Sequence, residues 1–193
     1  TEIASPMLSD KPKAAPVNDW ELATRLSYFL WSSTPDDELR SLAASGKLRE
    51  PGVLVAKARR MMKDAKVRRL ATEFGCQWLH VRDLESLEEK SERHFPGLLS
   101  LRGVMQEEVV HFFTDLFQGD RSVLSLLDAD HSFVNAPLAK HYGIDLRSDG
   151  WRRVDGLRAM GRGGILGFAG TLAKQSGASR TSPILRGNWL NEV

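Results

Sequence analysis

Apolar residues recur at three- and four-residue intervals along most of the chain, and this spacing predicts amphipathic helices. The longest run covers residues 98–118, after which Gly119 and Asp120 supply a stop signal. The only stretch that favours a strand is Trp151–Val154. We therefore predict a mainly α fold, in which a multi-helix domain is followed by a smaller helical segment with one short strand or hairpin.

Capping residues indicate where several of these helices begin. Asn18 or Asp19 can cap the first helix, whose predicted apolar side is Leu22, Leu26, Phe29 and Leu30. Thr34 is expected to cap the next, with Pro35 at the first helical position. In a later helix with Leu70 and Phe74 on its apolar stripe, we expect Trp78 to lie in the core.

The distribution of proline and glycine predicts three parts. Residues 1–17 contain three prolines and are expected to form an extended linker or arm. Residues 18–146 form the predicted helical domain, and residues 147–193 an incomplete C-terminal segment. The chain starts at Thr1, and its last helix has no stop signal before Val193, so we expect it to be a processed or excised piece of something longer.

Composition narrows the protein class. With 41% hydrophobic and 27% charged residues, the chain is not disordered as a whole. The single cysteine, Cys76, excludes an intrachain disulfide, a thiolate zinc cluster and covalent c-type haem attachment within this chain. The sequence has neither a signal peptide nor an apolar run of the roughly 18 residues that a membrane span needs.

Charge is concentrated towards the C-terminus. The whole chain carries a net charge of +2, but residues 147–193 hold eight basic against three acidic side chains, a net +5. Lys57–Arg69 is also rich in basic residues, but no exposed aromatic residues alternate with them. Solvated helix faces explain this second run better than nucleic acid does, whereas the C-terminal excess is compatible with an anionic partner.

No motif indicates catalysis or a metal site. The five histidines form no close ligand pair, and Ser182 has no nearby base. Gly161, Arg162, Gly163 and Gly164 precede an apolar helix but lack the lysine and hydroxyl pair of a phosphate-binding loop, so tight backbone packing is the better explanation. We predict no catalytic residue and no metal ligand.

One stretch carries a candidate anion site. Ser182 is a potential N-cap with Pro183 at the first helical position, so free amides, hydroxyls and arginine come together there. A capped helix with an arginine fixing the preceding loop is the alternative. The candidate contacts for an anion or a haem-bearing partner are Arg180, Thr181, Ser182, Arg186 and Trp189.

Two known families share motifs with this sequence. Residues 19–144 resemble the domain of unknown function 1592, through residues 22–31, 35–39, 77–79, 120–124, 127–130, 133–135 and 141–143. Residues 151–193 resemble the first part of the domain of unknown function 1588, through residues 152–154, 162–164, 180–183, and 186–187. The second pattern often has a histidine in the run that reads Ser176–Pro183 here, and this chain lacks it.

The resemblance implies a setting but no reaction. Such domains occur in large exported proteins of planctomycetes and myxobacteria, often beside a cytochrome c-like module. We therefore expect a location on the exported, periplasmic or extracellular side, with haem c on a downstream segment or a partner. The leading hypothesis is a non-catalytic helical scaffold or docking module of a c-type cytochrome electron-transfer assembly. The alternative is part of an exported oxidoreductase or polymer-degrading enzyme whose active site is shared with a neighbouring module.

Overall fold

The computed structural model describes residues 16–86, 90–147 and 149–192, and the mainly α prediction is confirmed. Most of the predicted arm, and Val193, lie outside the described residues. The helices are α1 (Asp19–Trp31), α2 (Asp37–Ala44), α3 (Pro51–Lys63), α4 (Arg68–Leu70), α5 (Cys76–Trp78), α6 (Leu98–Gln118), α7 (Ser125–Asp128), α8 (Ala136–Tyr142), α9 (Ala169–Lys174) and α10 (Pro183–Glu192). The strands are β1 (His131–Val134) and β2 (Arg152–Asp155).

The first three helices enclose a core of their own around Trp31, Leu39 and Met61. Asn18 caps α1 as expected and forms a capping box with Glu21. Two predictions were wrong here. Asp36, not Thr34, caps α2, because its carboxylate reaches the Leu39 amide. Phe29 is 65% exposed, because α1 directs Ala23, Ser27, Leu30 and Trp31 inwards instead.

The long helix α6 is the centre of the second core. A π-helical turn (Ala71–Gly75) joins α4 to α5, and Gly75 packs against the ring of Phe113 on α6. The prediction that Trp78 lies in the core was right only in part, because its side chain packs against this core without being fully enclosed by it. Its ring stacks on the exposed Phe74 and meets only an edge of Phe113, so it is half-buried.

A two-stranded antiparallel hairpin joins the C-terminal segment to this second core. The expected strand is present as β2, and its partner β1, which sequence patterning missed, pairs His131 with Asp155 and Val134 with Arg152. Phe168, Ala169 and Trp189 then bury their side chains in the same core as α6. The hairpin and these contacts place α9 and α10 beside α6, while the domain boundary stays a prediction.

Candidate functional site

A pocket of about 290 Å³ lies between α6 and the C-terminal helices. Its apolar wall combines residues from before and on α6 with residues from α9: Phe95, Leu98, Leu101, Met105, Ala169, Leu172 and Ala173. Basic side chains complete the lining: Lys90, His141, Arg162 and Arg186. Burial first, then the charge of Arg162, lowers the pKa of His141, so this imidazole is neutral at pH 7. The pocket therefore combines an apolar wall with three permanent cations.

Arg162 is held in place by the ring of Tyr142. Its guanidinium lies 4.0 Å from the centre of that ring, and Nη1 donates a hydrogen bond to the Gly167 carbonyl at 3.2 Å. A carbonyl carries no net charge, so this bond fixes the guanidinium without neutralising it. The contact with the aromatic face adds a cation–π attraction.

Tyr142 is fixed in turn by a buried carboxyl group. Its hydroxyl donates to Glu108 Oε2 at 2.5 Å and accepts from the Ala169 amide at 2.9 Å. Ser132 donates to the other carboxyl oxygen at 2.6 Å. Burial raises the pKa of Glu108 to about 7, although the two hydroxyl donors act in the opposite direction. This network connects α6, β1, α8 and α9 directly behind the pocket.

Arg186 is positioned by the loop that precedes α10. Its Nη2 lies 3.4 Å from the Ser176 hydroxyl oxygen, and Lys90 donates to the carbonyl of the same serine. A backbone bridge between Ser176 and Thr181 closes the loop. The Arg186 Nε is buried and has no hydrogen-bond acceptor among the described residues. Arg186 therefore lines the pocket and also holds a buried donor that has no partner among the described residues.

A smaller cavity of about 100 Å³ lies on the other side of Arg186 and Leu172. Thr171 and Trp189 also line it, and they are only 2% and 4% exposed. The Thr171 hydroxyl and the Trp189 indole nitrogen lack hydrogen-bond partners in the described part of the chain, as the Arg186 Nε does. Burying a polar group without a hydrogen-bond partner is energetically costly. Three such groups among the residues that line one cavity therefore require a physical explanation.

The five sequence-predicted site residues take three different positions. Thr181 and Arg186 line the larger pocket, and Trp189 lines the smaller cavity. Ser182 caps α10, because its hydroxyl accepts from the Leu185 amide at 3.2 Å. Arg180 is exposed and is not part of either lining. Their role in binding stays a prediction.

Sequence reasoning missed the other half of the pocket. Arg162 was visible only as part of a glycine-rich run, and nothing local connected it to Tyr142 or to Arg186. Lys90 and Thr171 likewise stand in stretches without a motif. Only the hairpin and the packing of α9 on α6 bring these residues together.

Other candidate chemistry is accounted for by internal contacts. In the basic run, Lys57 pairs with Glu38, Arg60 with Asp36 at 2.8 Å, and Arg68 with Glu107. The buried thiol of Cys76 has its pKa raised to about 12 by burial, so it is a thiol at neutral pH. Across residues 16–86, 90–147 and 149–192, no group of three or more His, Cys, Asp or Glu side chains could hold a metal ion. In these same ranges, no helix is both long and apolar enough to cross a membrane.

Comparison with known proteins gives one match. No curated protein and no solved structure matches the chain. The model of the family PSD4, described as "Protein of unknown function (DUF1592)", matches residues 17–144, more than half of the 193 residues. This stretch includes α6, Glu108 and Tyr142, whereas Arg162 and Arg186 follow it. The chain therefore belongs to the DUF1592 family of proteins of unknown function.

Proposed function

We propose that this chain is a helical docking module of an exported c-type cytochrome assembly, and that it binds an anionic group of its partner without doing chemistry of its own. The observation that carries the proposal is the pair of arginines, Arg162 and Arg186, at the wall of an apolar pocket. Both donate to neutral oxygens within the chain, the Gly167 carbonyl and the Ser176 hydroxyl. Their charge is thus available to an anion such as a carboxylate or a haem propionate.

The charge distribution supports the same proposal. The net +5 of residues 147–193 favours approach of an acidic surface to this part of the molecule. The cytochrome setting and the exported location come from the resemblance to the two domain families. Glu108, the acid with the most perturbed environment, is fully buried and engaged by Ser132 and Tyr142. Its contacts fit a residue that holds the fold in place better than one that meets a substrate.

The test is isolation of the protein from its native source together with its partners. A visible absorption spectrum and a pyridine haemochrome assay would measure whether c-type haem co-purifies in stoichiometric amount. We expect an Arg162→Ala/Arg186→Ala double variant to lose the haem protein. The matched control is Arg25→Ala/Arg147→Ala, which removes the same charge from exposed positions elsewhere.

Three results would contradict the proposal. A haem-free preparation of the wild-type protein would remove the cytochrome setting. Equal haem recovery with both double variants would remove the arginine site. Turnover of an oxidisable compound or a polysaccharide by the purified chain alone would favour the enzymatic alternative instead.

A further inference from the structure

Three side-chain polar groups around Arg186 have no hydrogen-bond partner among the described residues. Arginine and tryptophan side chains can only donate hydrogen bonds, and the Thr171 hydroxyl beside them is also without a partner. The Arg186 Nε and the Trp189 indole N–H lie one helical turn apart on α10. Guanidinium and indole donors favour a ligand group that has only acceptors, and a carboxylate is such a group.

The rest of the larger pocket has the opposite character. Leu98, Leu101 and Met105 come from α6, and Leu172 and Ala173 face them from α9. At about 290 Å³ the pocket is at the small end of small-molecule sites, which run from roughly 300 to 1,000 Å³. Its size and lining suit one unbranched hydrocarbon chain of medium length.

The two features share Arg186. This arginine lines both the apolar pocket and the small donor-rich cavity, and Arg162 adds a second guanidinium to the pocket wall. Burying a charged head group requires a charged or hydrogen-bonding partner, and here two guanidinium groups can serve. An uncharged chain would leave their donors unpaired, so a carboxylate is favoured over an alcohol of the same length.

We propose that the pocket between α6, α9 and α10 binds an amphipathic monocarboxylate, with its hydrocarbon chain against Leu101, Met105 and Leu172 and its carboxylate at Arg186 and Arg162. The proposal deepens the docking function and rests on it for the anion site. The added element is the ligand class, an unbranched medium-chain carboxylate.

Isothermal titration calorimetry of the 193-residue chain tests this proposal, with octanoate as the probe. We expect saturable one-to-one binding, and binding about tenfold weaker for octan-1-ol, which keeps the chain and lacks the charge. Acetate, which keeps the charge and lacks the chain, should give no measurable heat. Equal affinity for octanoate and octan-1-ol would overturn the proposed role of the arginines.

Three variants test where octanoate binds. Arg186→Met keeps a long side chain but removes the guanidinium, and we expect at least about tenfold weaker octanoate binding. Arg180→Met is the matched control on the exposed side, and less than a twofold change is expected. Ala173→Leu fills the pocket without changing any charge and should abolish binding. Thermal unfolding followed by circular dichroism shows that each variant is folded before it is titrated.

The outcomes separate this inference from the docking function. No octanoate binding by the wild-type chain, together with Arg186-dependent recovery of the haem protein, would overturn the ligand class and leave docking intact. Octanoate binding that is lost in Arg186→Met and in Ala173→Leu would support the proposed ligand class. If no haem protein co-purifies in the same study, the proposed cytochrome partner would be contradicted. Binding that Ala173→Leu leaves unchanged would place octanoate outside the pocket and overturn the inference.

Discussion

The arginines and buried tryptophans of the two cores differ in their partners, although each core also has polar atoms without a partner among the described residues, such as the Ser27 hydroxyl in the first. Around α1–α3, Arg60 pairs with Asp36, Arg49 pairs with Asp19 at 2.5 Å, and the Trp31 indole donates to the Met61 carbonyl at 3.0 Å. Around the pocket, Arg162 and Arg186 donate to neutral oxygens, and the Trp189 indole has no partner among the described residues.

Arginines paired with carboxylates fit a role in stabilising the fold, and arginines bonded to neutral oxygens fit the proposed binding role. A charge that is already paired, or a donor that already has an acceptor within the fold, interacts only weakly with a ligand. Donors that the fold leaves unused carry a cost, and binding of an acceptor repays it. The contrast supports the proposal that the pocket is the binding site, although the family match ends at residue 144 and covers only one of its walls.

The largest expected effect on stability comes from replacing Gly164, near the pocket, and Gly46, near the first core, provides the comparison. Gly164 has a φ of +58°, and an added Cβ would lie 2.4 Å from the Leu126 carbonyl oxygen, so Gly164→Ala should lower the free energy of unfolding by more than about 3 kcal/mol. Gly46 has a φ of +69° with open space around it, so Gly46→Ala should cost only about 1 kcal/mol. Urea unfolding curves measure both. Similar costs for the two would mean that the loop carrying Arg162 does not pack on α7 as described.

The next effect is a pH dependence that comes from Glu108. Its folded-state pKa is about 7, against 4.5 for an ordinary glutamate, because burial disfavours the charged form. The folded state therefore binds more protons between these two pH values. The contribution of Glu108 to stability is fully present below pH 4.5 and is lost as the pH rises through 7, by on the order of 3 kcal/mol.

The variant Glu108→Gln isolates this pH-dependent contribution to stability, since glutamine keeps hydrogen-bonding groups for Ser132 and Tyr142 but does not titrate. Urea denaturation measures the free energy of unfolding of both proteins. As the pH rises from 5 to 8, the wild type should lose stability relative to the variant. Wild-type and variant curves that run parallel over this range would show that Glu108 is not buried in the folded state.

A smaller difference in stability is expected between variants of the two buried tryptophans, Trp31 and Trp189. Trp31→Phe and Trp189→Phe remove the same ring atoms, but only the first removes a hydrogen bond. The cost of Trp31→Phe should therefore exceed that of Trp189→Phe by about 1 kcal/mol. Guanidinium unfolding of the two variants measures the difference. A larger cost at Trp189 would indicate that its indole nitrogen is satisfied within the fold.

The smallest effect on stability is expected at Arg186 itself. Its one hydrogen bond, to Ser176, is long at 3.4 Å, so Arg186→Met should change the free energy of unfolding by no more than about 0.5 kcal/mol. Differential scanning calorimetry of the variant and the wild type is the check. A loss of several kcal/mol would make Arg186 a structural residue, as in the alternative of a capped helix with a fixed loop.

The sequence was most informative where the determining contacts are local. Asn18 and Ser182 lie within three residues of the amides they cap, and the short strand at Arg152–Asp155 directly follows Trp151 and contains the β-branched Val154. Its partner His131–Val134 was missed, because it is recognisable as a strand only when paired. The burial of Trp78 was overestimated for a related reason. A large aromatic residue on a helical stripe can pack at the edge of the core, between a buried ring such as Phe113 and an exposed one such as Phe74.

The candidate site was predicted in part for the same physical reason. Thr181 and Arg186 stand next to a helix start that the sequence displays, whereas Arg162 reaches the pocket through its contact with Tyr142, twenty residues earlier in the chain. The unused donors at Thr171 and Trp189 are a property of packing, because a partner can be found missing only once the surroundings are in place.

The difference between the two cores is tested most directly by the indole N–H signals of the tryptophans in a ¹H–¹⁵N NMR spectrum during titration with octanoate. The Trp189 signal should shift progressively and saturate, because Trp189 lines the same cavity as Arg186 and its indole N–H has no partner among the described residues. The Trp31 signal should stay in place, because its donor is already bound to the Met61 carbonyl. A Trp189 signal that does not move at saturating octanoate, or a Trp31 signal that moves as far, would contradict the assignment of the ligand to the pocket beside Arg186.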